Sequence, residues 1–379
     1  MASWNNAITE TKKKKKIDVD RLLKKIDGLK KTTPAGEVVF GGLEYFDCLT
    51  LLNSCLKVNN KITGINKDKI IVDSLKKSGS NGTITKDTLL SEVKKKERNT
   101  LNCSVQRYVL CTCISIKKNV SLNRRKIDDV IITFNQQLNP IFTSQINLIL
   151  HEPSNSQLFP KPSLYRNLMS VKIFVNEQFP EVAAKKAMHK LNFLCSLWNL
   201  KLNAGRSAGL YALNDEPVNK IVQGPLFTLH SSSGHLALPK DYFWYNDYDR
   251  QVKRTNNVST KIPNMNIFEK KARKKITKLS KQPNKQPRKY ENIITWSLTE
   301  YNDALNYRDK RRAFLKLWPV LERLTGTMSA DYDLTVRRAS FLWTKNNSFH
   351  KDILNHLRLL RNSFIHENES SIHIEYNLF

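Results

Sequence analysis

The sequence has few cysteines and no regular arrangement of them. Six cysteines stand at positions 48, 55, 103, 111, 113 and 195 of 379 residues. This spacing does not match the frameworks of disulfide-rich secreted domains. Cys111 and Cys113 could in principle form a metal pair, but a CxC without a second cysteine pair or a nearby histidine is a weak metal signal. We therefore expect buried free thiols in a reducing cytosol.

Long apolar segments are also missing. No apolar run reaches the length of about 18 residues that a membrane-spanning helix needs. The N-terminal stretch MASWNNAITETKKKKK is charged and has no apolar segment behind it, so we expect no secretory signal. These observations predict a cytoplasmic protein with no membrane partner.

Several common catalytic motifs are absent from the sequence. It contains no Gly-x4-Gly-Lys-Ser/Thr, no Gly-x-Ser-x-Gly, no His-Glu-x-x-His and no paired Cys-x-x-Cys. The corresponding nucleotide, hydrolase and metal chemistries have no sequence support. We expect no metal and no cofactor.

Acidic residues are scarce relative to basic ones. The chain has 34 Asp and Glu against 63 Lys and Arg, which gives a formal net charge of +29. Such an excess favours a polyanionic partner, because binding to phosphates releases counterions. The alternative is a composition rich in Lys, Asn and Ile for reasons unrelated to binding.

The patterning predicts an α+β protein with four parts. Residues 1–33 form a basic leader, which could be a short surface helix, a frayed tail or a phosphate-binding arm. Residues 34–250 form a mixed β/α region that senses or binds a ligand. Residues 251–289 form a basic linker, and residues 290–379 form a helical bundle.

The first half of the chain is expected to be rich in strands. Short apolar or β-branched runs separated by turn residues predict strands, and they are GEVVFGG at 36–42, KIIVDSL at 69–75, GTITKDTLL at 82–90, SVQRYVLCTCISI at 104–116 and DDVIITFNQQL at 128–138. Residues 217–239 read as strand, turn, strand. Residues 178–203 have helical apolar spacing and predict an amphipathic helix.

The segment 251–289 is the most basic stretch and has one acidic residue, Glu269. A helical piece is expected around 267–279. Four of its cations, Lys271, Arg273, Lys274 and Lys275, are candidate RNA contacts. The alternative is a solvated connector without binding function.

Four segments after residue 290 have apolar spacing near 3.6. Gly326 stands where a helix-ending glycine would, and Pro319 predicts a kink or break. The tail SIHIEYNLF alternates and predicts a small strand.

The last of these helices carries two distinct faces. Ile353, Leu357, Leu360 and Phe364 are predicted to share an aliphatic face. A second, polar face carries Asn355, Arg358, Asn362 and His366 at spacings of three, four and four. Arg361 falls between the two faces. Leu359 and Ile365 flank the polar face and would add apolar area to an interface.

Cleavage of RNA through the ribose 2′-hydroxyl needs groups of the kind found on this polar face. A histidine can act as base or acid near neutral pH, and an arginine can stabilise the charge on phosphorus. Asn362, one turn before His366, can orient the imidazole or bind substrate. Two copies that meet about a two-fold axis would supply two histidines and two arginines. The alternative is an ordinary polar helix end, where cations suit the helix dipole.

The hexapeptide RNSFIH, residues 361–366, resembles the Arg-x(4–6)-His motif of the HEPN superfamily, in which a polar residue often follows the arginine. LWPVLERLTG at 317–326 and LTVRRASFLW at 334–343 resemble helices of the ApeA-like HEPN group. The segments 183–203 and 220–230 more loosely resemble the domain that often precedes HEPN.

The resemblance implies a metal-independent endoribonuclease that acts as a homodimer through its C-terminal bundle. It assigns catalytic roles to Arg361, Asn362 and His366, and Arg358 is a candidate phosphate contact. The implied partners are host or phage RNA and a phage-derived trigger or antitoxin, in anti-phage defence or a toxin system. The competing hypothesis is a non-catalytic nucleic-acid-binding protein that uses the bundle only for dimerisation.

Overall fold

A computed structural model of the chain describes residues 2–5, 17–34, 36–60, 62, 65–117, 122–135, 140–150, 168–204, 219–240, 242–245, 265–279, 287–307, 309–327, 332–343 and 345–366. The chain divides into two compact units. The first comprises residues 1–107 and 176–185, and the second comprises residues 108–175 and 186–379.

The first unit is mainly helical in its described part. Its elements are β1 Ser3–Trp4, α1 Val19–Gly28, β2 Lys30–Thr32, β3 Val38–Phe40, α2 Leu43–Cys55, β4 Leu56–Lys57, α3 Ile65–Ser80 and α4 Lys86–Leu101. Strand β1 pairs antiparallel with β4, and β2 pairs antiparallel with β3. The core is made of aliphatic side chains from the four helices, among them Leu23, Leu52, Ile71 and Leu89.

Two of the predicted strands in this unit are helices. Residues 69–75 lie inside α3 and residues 86–90 begin α4, so the strand prediction was wrong for these segments. The buried residues of α3 recur at helical spacing along a stretch longer than the β-branched run. They are Ile70, Ile71, Ser74, Leu75 and Ser78. Thr85 is the N-cap of α4 and forms a capping box with Thr88.

The basic leader contains a helix that is packed rather than frayed. Asp18 caps the N-terminus of α1 by accepting a hydrogen bond from the Arg21 backbone N–H at 3.1 Å. Leu22, Leu23 and Ile26 are buried on one face. The amphipathic spacing of this segment therefore stabilises α1 through the core of the first unit. The lysine run at 12–16 lies outside the described residues.

The second unit is built on a six-stranded sheet. Its strands are β5 Gln106–Lys117, β6 Arg125–Ile127, β7 Val130–Asn135, β8 Leu168–Glu177, β9 Leu226–Ser231 and β10 Trp244–Tyr245, in the order β10-β9-β5-β8-β7-β6. Strands β6 and β7 are antiparallel, as are β7 and β8, and β5 and β9. The strands predicted at 104–116, at 128–138 and before the 231–234 turn are confirmed, although residues 136–138 lie outside the described residues. The strand predicted after that turn is not formed, because Leu236 makes only an isolated bridge to His230.

Helices make up the other described elements of this part of the chain. They are α5 Pro140–Leu150, α6 Pro180–Asn203, α7 Met265–Leu279, α8 Pro287–Ala304, α9 Lys310–Thr325, α10 Tyr332–Ser340 and α11 Asn347–His366. The amphipathic helix predicted at 178–203 is confirmed as α6, which begins two residues later. Its fully buried Trp198 contacts Phe134 of β7, with ring centroids 5.7 Å apart.

The four helices predicted after residue 290 are confirmed as α8 to α11. Helix α9 packs on α8, α10 and α11. A small core of Phe314, Trp318, Val336, Leu354 and Phe364 joins α9, α10 and α11. Helix α9 runs through Pro319 without a break.

Gly326 ends α9 in the left-handed conformation with φ of 67°. Arg338 of α10 donates from Nη1 to the Thr325 carbonyl oxygen at 2.7 Å. This contact satisfies a carbonyl that the helix end leaves without an intrahelical donor. The predicted helix-ending role of Gly326 is confirmed.

A buried network of amide side chains joins α6 to α8. We call Asn192, Asn199, Asn219, Asn302 and Asp303 the amide network. Asn302 Oδ1 accepts from Asn199 Nδ2 at 2.7 Å, and Asn302 Nδ2 donates to Asn192 Oδ1 at 2.8 Å. Asn219 Nδ2 donates to the Asn302 carbonyl oxygen at 2.6 Å. These bonds position α8, and with it the helices that follow.

The α+β class is confirmed. Among the described residues, no helix is both long enough and apolar enough to cross a membrane.

Candidate functional site

The predicted catalytic residues lie in the last turns of α11. Arg361 Nη1 donates a hydrogen bond to Asn362 Oδ1 at 3.1 Å. Both side chains are half-buried. Helix α11 therefore holds a guanidinium and an amide in direct contact, with the amide oxygen occupied by that contact.

Arg361 also has an aromatic partner on the preceding helix. Its guanidinium carbon lies 4.6 Å from the ring centroid of Tyr332, the first residue of α10. A cation above an aromatic face is worth about 0.5–2 kcal/mol, depending on its exposure to water. The ring thus limits the positions that the guanidinium can take. Tyr332 was not predicted from the sequence, because nothing in the local pattern links it to a residue 29 positions later.

The buried face of α11 is rotated towards Arg361 relative to the prediction. Leu354 and Phe364 are buried against α9 and α10, with Leu357 partly buried beside them. Ile353, predicted on this face, is 41% exposed, so that assignment was wrong. The reason is that α10 lies on the Arg361 side of the helix and covers it there. Arg361 therefore packs against Tyr332 of its own bundle, whereas the prediction placed it on the flank between the aliphatic and the polar face.

His366 is the last residue of α11. Its side chain lies outside the described residues. In sequence it follows Asn362 by four positions, one helical turn.

Arg358 is engaged by a carboxylate in this chain. Its Nη1 donates to Asp333 Oδ1 on α10, in an ion pair whose carboxylate is largely exposed. Such a pair contributes at most about 1 kcal/mol when it is open to solvent. Phosphate binding by Arg358 would therefore require exchange of one anion for another.

A further arginine supports the end of α11. Arg311 of α9 donates from Nη2 to the Phe364 carbonyl oxygen at 2.6 Å, and its guanidinium carbon lies 4.9 Å from the Phe364 ring centroid. A cation at a helix C-terminus suits the helix dipole. This contact holds the turn that contains Arg361, Asn362 and His366.

Apolar side chains are exposed beside this site. Leu359 is 60% and Ile365 is 48% exposed. The corner between α10 and α11 also carries large exposed apolar residues, which are Phe341, Leu342, Trp343 and Phe349. Exposed apolar area of this kind marks interaction surfaces.

The basic residues predicted to contact RNA lie on α7. Lys271, Lys274 and Lys275 are exposed, whereas Arg273 is partly buried. Arg273 Nη2 donates to the Lys126 carbonyl oxygen at 2.8 Å, and its Nη1 lies 3.4 Å from Glu269 Oε1. Arg273 therefore contacts β6, while the three lysines face solvent.

Comparison with known proteins adds no relative. Searches of protein-family models, of curated proteins and of solved structures found no match to this chain. In the part of the chain that the structure describes, no group of three or more His, Cys, Asp or Glu side chains could hold a metal ion.

Proposed function

We propose that this protein is a cytoplasmic, metal-independent endoribonuclease of the HEPN type that acts as a homodimer in anti-phage defence. The observation that carries the proposal is the contact between Arg361 and Asn362 on the last helix of a helical group, one turn before His366. This arrangement supplies a cation, a polar orienting group and a titratable group on neighbouring turns.

The reaction needs no oxidant, cofactor or metal. A base removes the proton of the ribose 2′-hydroxyl, and the 2′-oxygen forms a bond to phosphorus. The bond from phosphorus to the 5′-oxygen breaks, and an acid protonates that leaving oxygen. His366 of one copy serves as base and His366 of the other as acid, since one imidazole of each protonation state is required.

Arg361 stabilises the charge on the phosphorane in this proposal. A guanidinium can donate two parallel hydrogen bonds to phosphate oxygens. Its contacts to Tyr332 and Asn362 reduce the reorganisation that the reaction requires. Asn362 orients Arg361 in this proposal, whereas the sequence predicted that its amide would orient the imidazole or bind substrate.

Two surfaces support the remaining parts of the proposal. The exposed Leu359 and Ile365 flank the position of His366 and supply apolar area for a second copy. The exposed lysines of α7, Lys271, Lys274 and Lys275, supply affinity for the RNA backbone. A phage-derived trigger or an antitoxin would control access to this site.

The proposal is tested by RNA cleavage with the purified chain and with substituted chains. His366→Ala and Arg361→Ala are expected to reduce cleavage at least a hundredfold, because each removes a group that acts in the transition state. His356→Ala and Arg337→Ala are matched controls at exposed positions of α11 and α10, and they are expected to retain wild-type rates. Circular dichroism checks that each variant is folded.

Metal dependence gives a second readout of the same mechanism. Cleavage should persist in EDTA, since the chemistry above uses only side chains. Wild-type rates in His366→Ala, or a strict requirement for Mg²⁺, would contradict the proposal.

The exposed lysine face of α7 and the net charge favour a second candidate, a non-catalytic nucleic-acid-binding protein. It predicts steep salt dependence of RNA binding and no cleavage by the wild-type chain. Under that candidate, His366→Ala would have no effect on any RNA readout.

A further inference from the structure

A cavity of about 330 Å³ lies between β6 and α7 in the second unit. Side chains from both elements line the cavity, among them Arg124, Arg125, Lys126, Glu269, Lys270 and Arg273. It belongs neither to the amide network nor to the end of α11.

The inner wall of the cavity is an ordered ionic cluster. Arg125 Nε donates to Glu269 Oε2 at 2.9 Å, and Arg273 Nη1 lies 3.4 Å from Glu269 Oε1. The Arg125 and Glu269 side chains are 10% and 2% exposed. Arg125 Nη1 also donates to the Asn123 carbonyl oxygen at 2.7 Å. Both guanidinium groups are therefore held in defined orientations.

The cavity carries more positive charge than its own carboxylate can neutralise. Five lining side chains are cationic, and Glu269 supplies the one carboxylate among the residues that line the cavity. Both oxygens of Glu269 already face guanidinium groups. The Arg125–Glu269 pair and the hydrogen bond from Arg273 to the Lys126 carbonyl oxygen hold α7 against β6. The exposed Arg124, Lys126 and Lys270 add charge at the rim that this structural role does not require.

Concave sites lined by charge of one sign concentrate counterions, and the effect is stronger where low-dielectric walls surround them. Guanidinium groups with fixed orientation match the geometry of phosphate oxygens. Small-ligand pockets begin at about 300 Å³. The cavity thus has room for a phosphate ester as well as for the bare ion.

We propose that the cavity between β6 and α7 is a phosphate-binding site, in which Arg273, Lys270 and Arg124 contact the phosphate group and Arg125 orients the wall through Glu269. The phosphate can belong to a mononucleotide or to the backbone of an RNA strand that also follows the exposed lysines of α7. The site does not depend on catalysis at α11.

The test compares the full-length wild type with two doubly substituted chains. The pocket variant is Arg124→Gln/Lys270→Gln, which removes two exposed rim charges and leaves the Arg125–Glu269 pair in place. The control is Lys94→Gln/Lys95→Gln on the exposed face of α4, which changes the net charge by the same amount. Thermal unfolding is measured with inorganic phosphate and with chloride at equal ionic strength.

Phosphate at about ten times its dissociation constant is expected to raise the Tm of wild type and control by about 2–4 °C over chloride. The pocket variant should lose most of this shift and should be no less stable than the wild type in chloride. Equal phosphate shifts in all three chains, or no shift in the wild type, would overturn the proposal.

Two further ligands separate the sources of the phosphate. A 5′-mononucleotide that reproduces the shift, with loss in the pocket variant, supports a free phosphate ester as the ligand. A fluorescent single-stranded RNA that binds the pocket variant at least threefold more weakly than the control supports a backbone phosphate. The inorganic phosphate and mononucleotide shifts involve no RNA cleavage, so failure of the ribonuclease proposal would leave them unchanged and is distinguishable from failure of this one.

Discussion

The guanidinium of Arg361 is held by two neighbours of different kinds. Tyr332 offers an aromatic face, and Asn362 offers an amide oxygen. Neither partner neutralises its charge, so the electrostatic attraction for a phosphate is retained. Arg358, one turn earlier, has its charge balanced by Asp333. This difference favours Arg361 over Arg358 for the phosphate contact in the reaction that we propose.

Asp303 is the titratable member of the amide network. Burial raises the pKa of its carboxyl to about 6, although the hydrogen bond from Asn192 opposes this change. A carboxyl with a raised pKa stabilises the fold while it is protonated, and this contribution is lost as the pH rises through about 6. The fold should therefore lose stability between about pH 4 and 7 through this group.

We predict that Asp303→Asn removes this pH dependence, because the amide keeps the oxygen that accepts from Asn192 and cannot ionise. Its free energy of unfolding, relative to wild type, should rise by about 1–3 kcal/mol between pH 4 and 7. Urea unfolding of both chains at a series of pH values measures the difference. A constant difference across that range would contradict the assignment.

Helix α8 is positioned by polar contacts as well as by apolar packing. Asn302 exchanges hydrogen bonds with Asn192 and Asn199 of α6 and accepts another through its backbone from Asn219. Directional bonds of this kind allow one register between two helices, because a shift along the axis would leave buried amides without partners. The network thus ties the C-terminal helices to the sheet-bearing part of the second unit.

Asn302→Ala is expected to destabilise the chain by about 2–4 kcal/mol, because it leaves several buried amides with unsatisfied donors or acceptors. Asn292→Ala, at an exposed position of the same helix, is the matched control and should change stability by less than about 0.5 kcal/mol. Chemical unfolding of the two variants and the wild type measures these changes in the free energy of unfolding. Similar small losses in both would show that the network contributes little.

Helix α7 has one side that packs against the fold and one side that carries exposed cations. Glu269 and Ile276 are buried on one side, while Lys271, Lys274 and Lys275 are exposed on the other. The predicted helix is confirmed, and its contact with β6 anchors the cations on a defined surface. A solvated connector would not need the buried Arg125–Glu269 pair.

The molecule as a whole carries a net charge of +29, which opposes self-association unless an interface buries enough apolar area or an anion screens the charge. The exposed apolar side chains near the end of α11 are the surface that we assign to a second copy. Dimerisation and RNA binding are therefore expected to favour each other.

We predict that Leu359→Arg converts a dimer of 43.9 kDa chains into monomers and also abolishes RNA cleavage, since a buried arginine without a partner opposes association. Leu324→Arg places the same change at another exposed leucine, on α9, and should leave the dimer intact. Light scattering coupled to size exclusion measures the mass. A wild type that is monomeric at micromolar concentration, with and without RNA, would contradict an active site formed by two copies of the chain.

Local patterns were sufficient for many of the helices and strands. The apolar spacing predicted α6 and α8 to α11, Gly326 marked a helix end, and the β-branched run at 104–116 marked β5. They failed at α3 and α4, where a short apolar run reads equally well as a strand. There the choice depends on packing against the other helices of the first unit, whose residues are distant in sequence.

The residues of the candidate site also divide into those that the sequence predicted and those that only the folded chain brought together. The amino-acid order alone was enough to single out Arg361, Asn362 and His366 as candidates, through the helical spacing of Asn362 and His366 and the resemblance of RNSFIH to the HEPN motif. It also established the excess of positive charge. The partners that orient these groups came only with the folded chain. Tyr332 stacks on an arginine of the next helix, and Glu269 pairs with Arg125 across 144 positions. Such contacts depend on how elements pack, and packing is decided by the fit of whole surfaces rather than by any local repeat.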